Sequence, residues 1–320
     1  MILSKWRQAH GLVVGNDHIE SNTPCQDNVY YVGKNGLHVL AVSDGAGSKQ
    51  YSQYGSEIAT KAVCNYLVEE FDNLYISSET YGKSEDEIIE AQKMVKESIF
   101  NYVKRKLIAK ADELKIELDD LACTLLFVAK KDEKVIMGHI GDGVIAGLFN
   151  SGSNEMLKVL SHPENGEQIN ITFFLTDPDA IEHFRVSAER MSNLTGLMLM
   201  SDGAEEVLYH PINGMHINCL KLFHNFNNNT NAEYNKILNK FLKNQVAKYS
   251  YDDLSINILY LSTIDTEKSR VDVFKDMVMD IKNRNQIEEA SSYALFLDGT
   301  TQYKDKDDLS SFWGLNGKDK

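Results

Sequence analysis

Carboxylates recur in this chain at points where an apolar strand ends or begins. Leu40-Ala-Val-Ser-Asp44-Gly45-Ala46 and Leu199-Met-Ser-Asp202-Gly203-Ala204 each run from an apolar segment into Ser-Asp-Gly-Ala. Gly141-Asp142-Gly143 follows a further apolar segment, Asp252-Asp253 precedes one, and Asp27 ends the run Pro24-Cys-Gln-Asp27. A strand end holds a carboxylate rigidly at the rim of a sheet, and glycine lets the backbone turn sharply and bring its carbonyl close to a ligand.

These segments have two interpretations. Asp-Gly is a common turn dipeptide, so any single copy is more often only a turn. Several carboxylates gathered at one rim would repel one another unless a cation lies among them. Oxygen ligands select Mg²⁺ or Mn²⁺ over zinc, and the sequence has no His-x-x-x-His or Cys-x-x-Cys that competes. The residues alone therefore indicate metal-assisted chemistry on an oxyanion, with isolated turns as the alternative.

Composition excludes several other classes. The 320 residues include 33 Lys and Arg against 47 Asp and Glu, a formal net charge of −14, which argues against a protein that binds a nucleic-acid backbone. No apolar stretch approaches the ~18 residues of a membrane-spanning helix, and no signal-peptide core opens the chain. The four cysteines are scattered, so a disulfide scaffold is not indicated. We expect a cytoplasmic monomer without a nucleic-acid or membrane partner.

Strands and long helices must position the carboxylates. Apolar runs predict strands at 9–16, 28–33, 37–43, 124–130, 134–140, 144–149, 155–160, 170–175, 182–187, 196–201 and 254–261. Three- and four-residue spacing predicts helices around 58–71 and at 85–114, 213–224 and 231–248, with a short one after 201. Long helices beside antiparallel hairpins predict an α+β layered fold.

The composition changes near residue 263. One amphipathic helix is predicted from Val271 to Ile281, followed by a mixed tail that ends in an aromatic pair at Phe312-Trp313. We therefore expect a main domain over 1–262 and a C-terminal helix and tail over 263–320. The tail is either packed on the outside of the domain or a regulatory, partner-docking segment.

In order, the motifs resemble the protein phosphatase 2C family, the metal-dependent serine/threonine phosphatases, and most closely a divergent bacterial branch of it. The motifs are Gln26-Asp27, Val42-Ser-Asp44-Gly45-Ala-Gly47, Cys123-Thr124, Gly141-Asp142, Met200-Ser-Asp202-Gly203 and Asp252-Asp253-Leu-Ser255. The resemblance covers roughly residues 8–262. It implies a four-layer α-β-β-α sandwich with two central antiparallel sheets flanked by helix pairs. It also implies that 1–262 is the catalytic domain.

The resemblance implies a role for each metal-binding position. Asp44 would bridge two Mg²⁺ or Mn²⁺ ions, and the Gly45 carbonyl would bind one of them. Asp202 and Asp252 would hold the second ion. Asp142 would serve a weaker third site. The implied reaction is hydrolysis of phosphoserine or phosphothreonine, in a substrate of a serine/threonine kinase, by a metal-activated water without a phosphoenzyme.

Two catalytic positions act on the water and the substrate. By the resemblance, Asp27 would orient the metal-bound water, either as a metal ligand itself or from just outside the ligands. Many members place an arginine for the substrate phosphate five residues before this first Asp, where this chain has Asn22. His18 could supply a hydrogen bond to the phosphate instead, although a lone histidine is more often structural.

Other positions depart from the family pattern. Gln26 replaces a common Glu, Ala46 replaces the histidine of the animal enzymes, Ser48 replaces a Gly, and Asp253 stands where Asn is common. The metal carboxylates are all in place, which favours an active phosphatase. The changes at substrate-binding positions leave a second hypothesis open, a pseudophosphatase that acts as a regulatory binding module.

Overall fold

Two five-stranded antiparallel sheets form the centre of the molecule. The computed structural model describes residues 2–78, 84–152, 154–164, 172–225 and 229–265. The first sheet has the order β1 (Ile2–Val13), β12 (Leu254–Asp265), β9 (Leu194–Met200), β6 (Val144–Ser151) and β7 (Asn154–Ser161). The second has the order β2 (Asn28–Lys34), β3 (Leu37–Ser43), β4 (Leu125–Lys131), β5 (Lys134–Ile140) and β8 (Arg185–Arg190). A small ribbon pairs β10 (Tyr209–His210) with β11 (Gly214–Met215).

Helices cover the outer faces of the two sheets. They are α2 (Ser52–Ser78), α3 (Glu85–Leu114), α4 (Ala180–His183), α5 (Asp202–Leu208), α6 (Asn218–His224) and α7 (Asn231–Asn244). The short helix α1 (Asn16–Ser21) follows β1 and has no buried residue. Short 3₁₀ turns span Leu118–Leu121 and Val246–Lys248. One core lies between the second sheet and α2 and α3, and another lies between the first sheet and α5, α6 and α7. The predicted α-β-β-α sandwich is confirmed.

Alternate side chains of the central strands pack together between the two sheets. Leu40 of β3 packs there with Leu197 and Leu199 of β9, while Val39 of β3 faces the helices α2 and α3. Both faces of these strands are buried, which explains why their sequences are continuously apolar rather than alternating.

A buried amide joins the sheets close to the acidic motifs. Asn257 of β12 has no exposed surface. Its Nδ2 donates to the Tyr30 carbonyl (2.9 Å) and the Ala41 carbonyl (3.1 Å), and its Oδ1 accepts from Gln8 Nε2 at 2.8 Å. This amide therefore fixes β12, which Asp252 precedes, against β3, which Asp44 follows.

Several predicted elements are wrong in part. Residues 172–175 are not a strand, because Phe174 donates its amide to Asp177 Oδ2 (2.8 Å) and closes a turn; 170–171 lie outside the described residues. A helical turn, α4, occupies the start of the strand predicted at 182–187, which begins instead at Arg185. The helix predicted at 213–224 begins at Asn218, since Gly214 has φ +73° in a β-ribbon turn.

Other boundaries move by a few residues. The strand predicted at 9–16 runs from Ile2 to Val13, and the helix predicted at 231–248 ends at Asn244. The helix at 85–114 is confirmed at both ends, where Ser84 and Glu87 form a capping box and Lys115 takes the left-handed conformation at φ 58°.

The C-terminal predictions lie outside the described residues. These are the helix from Val271 to Ile281 and the aromatic pair Phe312-Trp313. β12 continues to Asp265, so it crosses the expected boundary at 262, which stays a prediction. No helix in the described ranges is both long and apolar enough to cross a membrane.

Candidate metal centre

Three carboxylates from three separate loops converge at one end of the sandwich. Asp44, Asp142 and Asp202 each present an oxygen, and these oxygens lie within 4.8 Å of one another. The three side chains are half-buried. Three carboxylate oxygens at this spacing could hold a metal ion.

The loop after β3 is fastened to the start of β4, and this positions Asp44. The Asp44 amide donates to Thr124 Oγ1 (2.9 Å), and the Thr124 amide donates to the Asp44 carbonyl (2.8 Å). Gly45 forms an isolated bridge with Cys123. A Cβ on Gly45 would lie 2.7 Å from the Gln26 carbonyl oxygen, so only glycine allows this close approach. The predicted motif Cys123-Thr124 therefore serves to hold the first Asp-Gly turn.

Asp142 lies in the turn between β5 and β6. Gly141 has φ +113° there, a conformation that L side chains rarely adopt. Thr172 Oγ1 donates to Asp142 Oδ2. Asp142 Oδ1 is buried and accepts no hydrogen bond from any described residue. An unpartnered buried carboxylate oxygen aimed into a group of acids fits a cation ligand.

Asp202 opens α5 directly after β9. Its Oδ1 accepts from the Gly203 amide at 2.7 Å. The preceding Ser201 exchanges backbone and side-chain hydrogen bonds with Ser255 of β12, each at 3.1 Å. These bonds join the loop of Asp202 to the segment that carries Asp252 and Asp253. The second Ser-Asp-Gly motif is thus placed against the Asp-Asp motif.

Asp27 and Asp252 lie next to the three converging carboxylates. The pairing of Asn28 with Ser43 brings Asp27 beside Asp44, and only 4% of Asp27 is exposed. Burial raises the pKa of Asp27 to about 7, and the charge of Asp253 adds to the rise. Asp252 also has a raised pKa, mainly from partial burial.

All three converging carboxyl groups have a raised pKa. Burial and then the charge of Asp202 raise the pKa of Asp44 well above its usual value. Burial followed by the charges of Asp142 and Asp252 does the same for Asp202. The pKa of Asp142 is raised by burial, and the hydrogen bond from Thr172 opposes that rise. Without a cation, these groups hold protons at pH values where free aspartate is ionised.

Asp253 organises the neighbouring loops. It is 1% exposed and accepts hydrogen bonds from the Gly15 amide (2.7 Å), the Gln26 amide (2.6 Å) and His18 Nδ1 (2.9 Å). A carboxylate can accept all three, whereas the single amide oxygen of Asn could not do so equally well. Asp253, which stands where Asn is common in the family, therefore provides the acceptor that holds His18.

His18 lies at the edge of the centre, on α1. Its Nδ1 is held by Asp253, and its Nε2 lies 4.0 Å from the position that a Cβ would take on Gly47. Gly47 follows Asp44 in the first Asp-Gly loop. The ring is therefore oriented towards that loop, and the structure brings His18 together with the predicted acidic residues.

Two residues at the centre were missed by the sequence interpretation. Thr172 gives no local signal, since its contact with Asp142 depends on the tertiary fold. Glu205 lies in the first turn of α5, and burial together with the charge of Asp142 raises its pKa to about 8. Its position three residues after Asp202 on a short helix could have indicated it.

Comparisons with known proteins identify the family of the chain and support the fold. A family model described as protein phosphatase 2C matches residues 14–243. Serine/threonine-protein phosphatase 3 of Escherichia coli K12 is 26% identical over 181 residues, which is 55% of this chain and 65% of that relative, slightly less than two thirds of its length. The chain therefore belongs to the protein phosphatase 2C family.

Solved structures show the same fold at low sequence identity. A serine-threonine phosphatase 2C from Toxoplasma gondii superposes with a TM-score of 0.55 at 12% identity, over 82% of this chain and 99% of that one. Stp1 from Staphylococcus aureus, a serine/threonine phosphatase, superposes with a TM-score of 0.52 at 14% identity, over 81% and 96%. The family resemblance drawn from the motifs is confirmed.

Proposed function

We propose that this chain is an active Mg²⁺- or Mn²⁺-dependent protein phosphatase that hydrolyses phosphoserine or phosphothreonine in a protein substrate. Membership of the protein phosphatase 2C family supports this reaction. The observation that carries the proposal is the convergence of Asp44, Asp142 and Asp202 with an unpartnered Asp142 oxygen among them. A regulatory module without turnover would not need this centre to be intact.

Each acidic residue has a role in this proposal. Asp44 and the Gly45 carbonyl would hold one cation, and Asp202 and Asp252 would hold the second. When bound, the cations supply the positive charge that lowers the pKa of a water molecule and neutralises phosphate oxygens. Asp142 lies within reach of both Asp44 and Asp202, which supports a share in the same ions or in a third one.

Two residues act on the water and the substrate. Asp27, buried beside Asp44, orients the attacking water. His18, held at Nδ1 by Asp253, offers Nε2 to the substrate. It would supply a hydrogen bond to a phosphate oxygen, in place of the arginine that many members have at the position of Asn22.

The proposal predicts turnover that depends on an added cation. The purified chain should hydrolyse p-nitrophenyl phosphate and a phosphothreonine peptide with Mn²⁺ or Mg²⁺ present, because the carboxylates alone repel a phosphate. EDTA should abolish turnover, excess Mn²⁺ should restore it, and okadaic acid should have no effect. Mn²⁺ binding without turnover on any phosphopeptide would contradict the proposal and favour the regulatory module.

A further inference from the structure

A pocket of about 530 Å³ lies beside His18, which forms part of its lining. Its wall is apolar where the end of β1 and the following loop meet the 3₁₀ turn after α7, at Val13, Val14 and Ala247. Polar groups of Asn22 and Lys243 line it as well. The pocket is therefore amphipathic, with an aliphatic wall and a cationic group.

His18 connects this pocket to the metal centre. The ring lines the pocket, yet its Nδ1 contacts Asp253, the neighbour of the proposed ligand Asp252. Its Nε2 lies close to Gly47, in the loop of Asp44. A peptide whose phosphoresidue occupies the centre would pass His18 and place an adjacent residue at this pocket.

The charge of the pocket is opposite to that of the chain. The described lining residues include no Asp or Glu, although the chain has a net charge of −14. Lys243 is exposed in the last turn of α7, and within the described ranges it forms no ion pair. Asp17 and Glu20 are exposed on α1 but do not line the pocket. A cation left unpaired beside an aliphatic wall suits a carboxylate on an aliphatic stem.

We propose that this pocket is a substrate subsite that accepts an acidic side chain near the phosphoresidue, with its carboxylate paired to Lys243 and its stem on the Val13 and Val14 wall. The inference rests on the proposed phosphatase function and names the substrate class for it: phosphoproteins with Glu or Asp flanking the phosphorylated residue.

Steady-state kinetics on phosphothreonine peptides tests the subsite. One peptide series carries a single Glu at successive positions on either side of the phosphothreonine, and a matched series carries Lys. We expect one Glu position to give a lower KM than its Lys counterpart. Lys243→Glu should raise KM for that Glu peptide by about tenfold and lower it for the Lys peptide, with kcat little changed.

Two controls keep this test separate from the phosphatase activity. Turnover of p-nitrophenyl phosphate, which is too small to reach the pocket, should be the same in wild type and Lys243→Glu. Lys236→Glu, an exposed lysine on the same helix that does not line the pocket, should leave all KM values unchanged. Equal KM values for Glu and Lys peptides at every position, with normal p-nitrophenyl phosphate turnover, would overturn the subsite but not the phosphatase. Absence of all turnover would overturn both.

Discussion

Replacement of Asp202 by Asn is expected to reduce turnover on the order of a thousandfold and, in the absence of metal, to raise thermal stability. Turnover falls because a ligand charge that stabilises the transition state through the cation is lost. Stability rises because burial, and then the charges of Asp142 and Asp252, already disfavour an ionised Asp202. Removing one of several repelling carboxylates should add roughly 1 kcal/mol to the free energy of unfolding, which is about 2 to 4 °C in melting temperature.

The fall in turnover and the rise in melting temperature together distinguish the loss of a metal ligand from damage to the fold. A mutation that simply damages the fold lowers activity and melting temperature together. Differential scanning fluorimetry in EDTA, beside turnover in Mn²⁺, distinguishes the two cases. Asp112→Asn, an exposed carboxylate on α3, serves as the control and should change neither quantity. A lower melting temperature for Asp202→Asn in EDTA would contradict the electrostatic account of the centre.

The second large effect is the pH dependence of metal binding. The acidic groups of the centre have higher pKa values in the folded chain than free aspartate, and that of Asp27 reaches about 7. They therefore bind more protons when folded than when unfolded, and the metal-free protein loses their contribution as the pH rises from about 4 to about 7. A cation competes with these protons, so its apparent affinity should rise up to about tenfold per pH unit for each proton released.

Thermal melts at pH 5.5 and pH 8 measure this dependence. Saturating Mg²⁺ should raise the melting temperature clearly at pH 8 and much less at pH 5.5, where protons neutralise the centre. Asp202→Asn should show a reduced shift at pH 8. A Mg²⁺ shift of the same size at both pH values in wild type would mean that the ion binds elsewhere or that the carboxylates are already ionised.

The sequence predicts the parts of the centre that are local. Asp44 and Asp202 each follow an apolar strand and precede a glycine, so their place at a sheet rim can be inferred from a few residues. The position of Asp27 cannot be inferred from its neighbours in sequence, because its contact with Asp44 depends on the register of β2 with β3. The motif order supplied that information through the family resemblance, and no spacing rule would have done so.

Contacts between distant segments could not be predicted. The sequence places Asp253 in the Asp252-Asp253 motif and marks it as a departure from the family pattern, but it does not predict a buried acceptor for three donors from the segment that includes α1. Thr172, which donates a hydrogen bond to Asp142, lies at the start of a segment where the sequence predicts a strand and the structure has a turn. In both cases the partner is chosen by tertiary packing, which overrides the local pattern.

The central claim is that this acidic centre holds the cations required for hydrolysis. Calorimetric titration of the metal-free chain with Mn²⁺ at pH 8, with turnover of p-nitrophenyl phosphate followed over the same concentrations, tests it most directly. The account predicts that at least two ions bind in wild type, that turnover rises as they bind, and that Asp44→Asn loses both. Turnover by the metal-free chain, or Mn²⁺ binding that Asp44→Asn leaves unchanged, would contradict it.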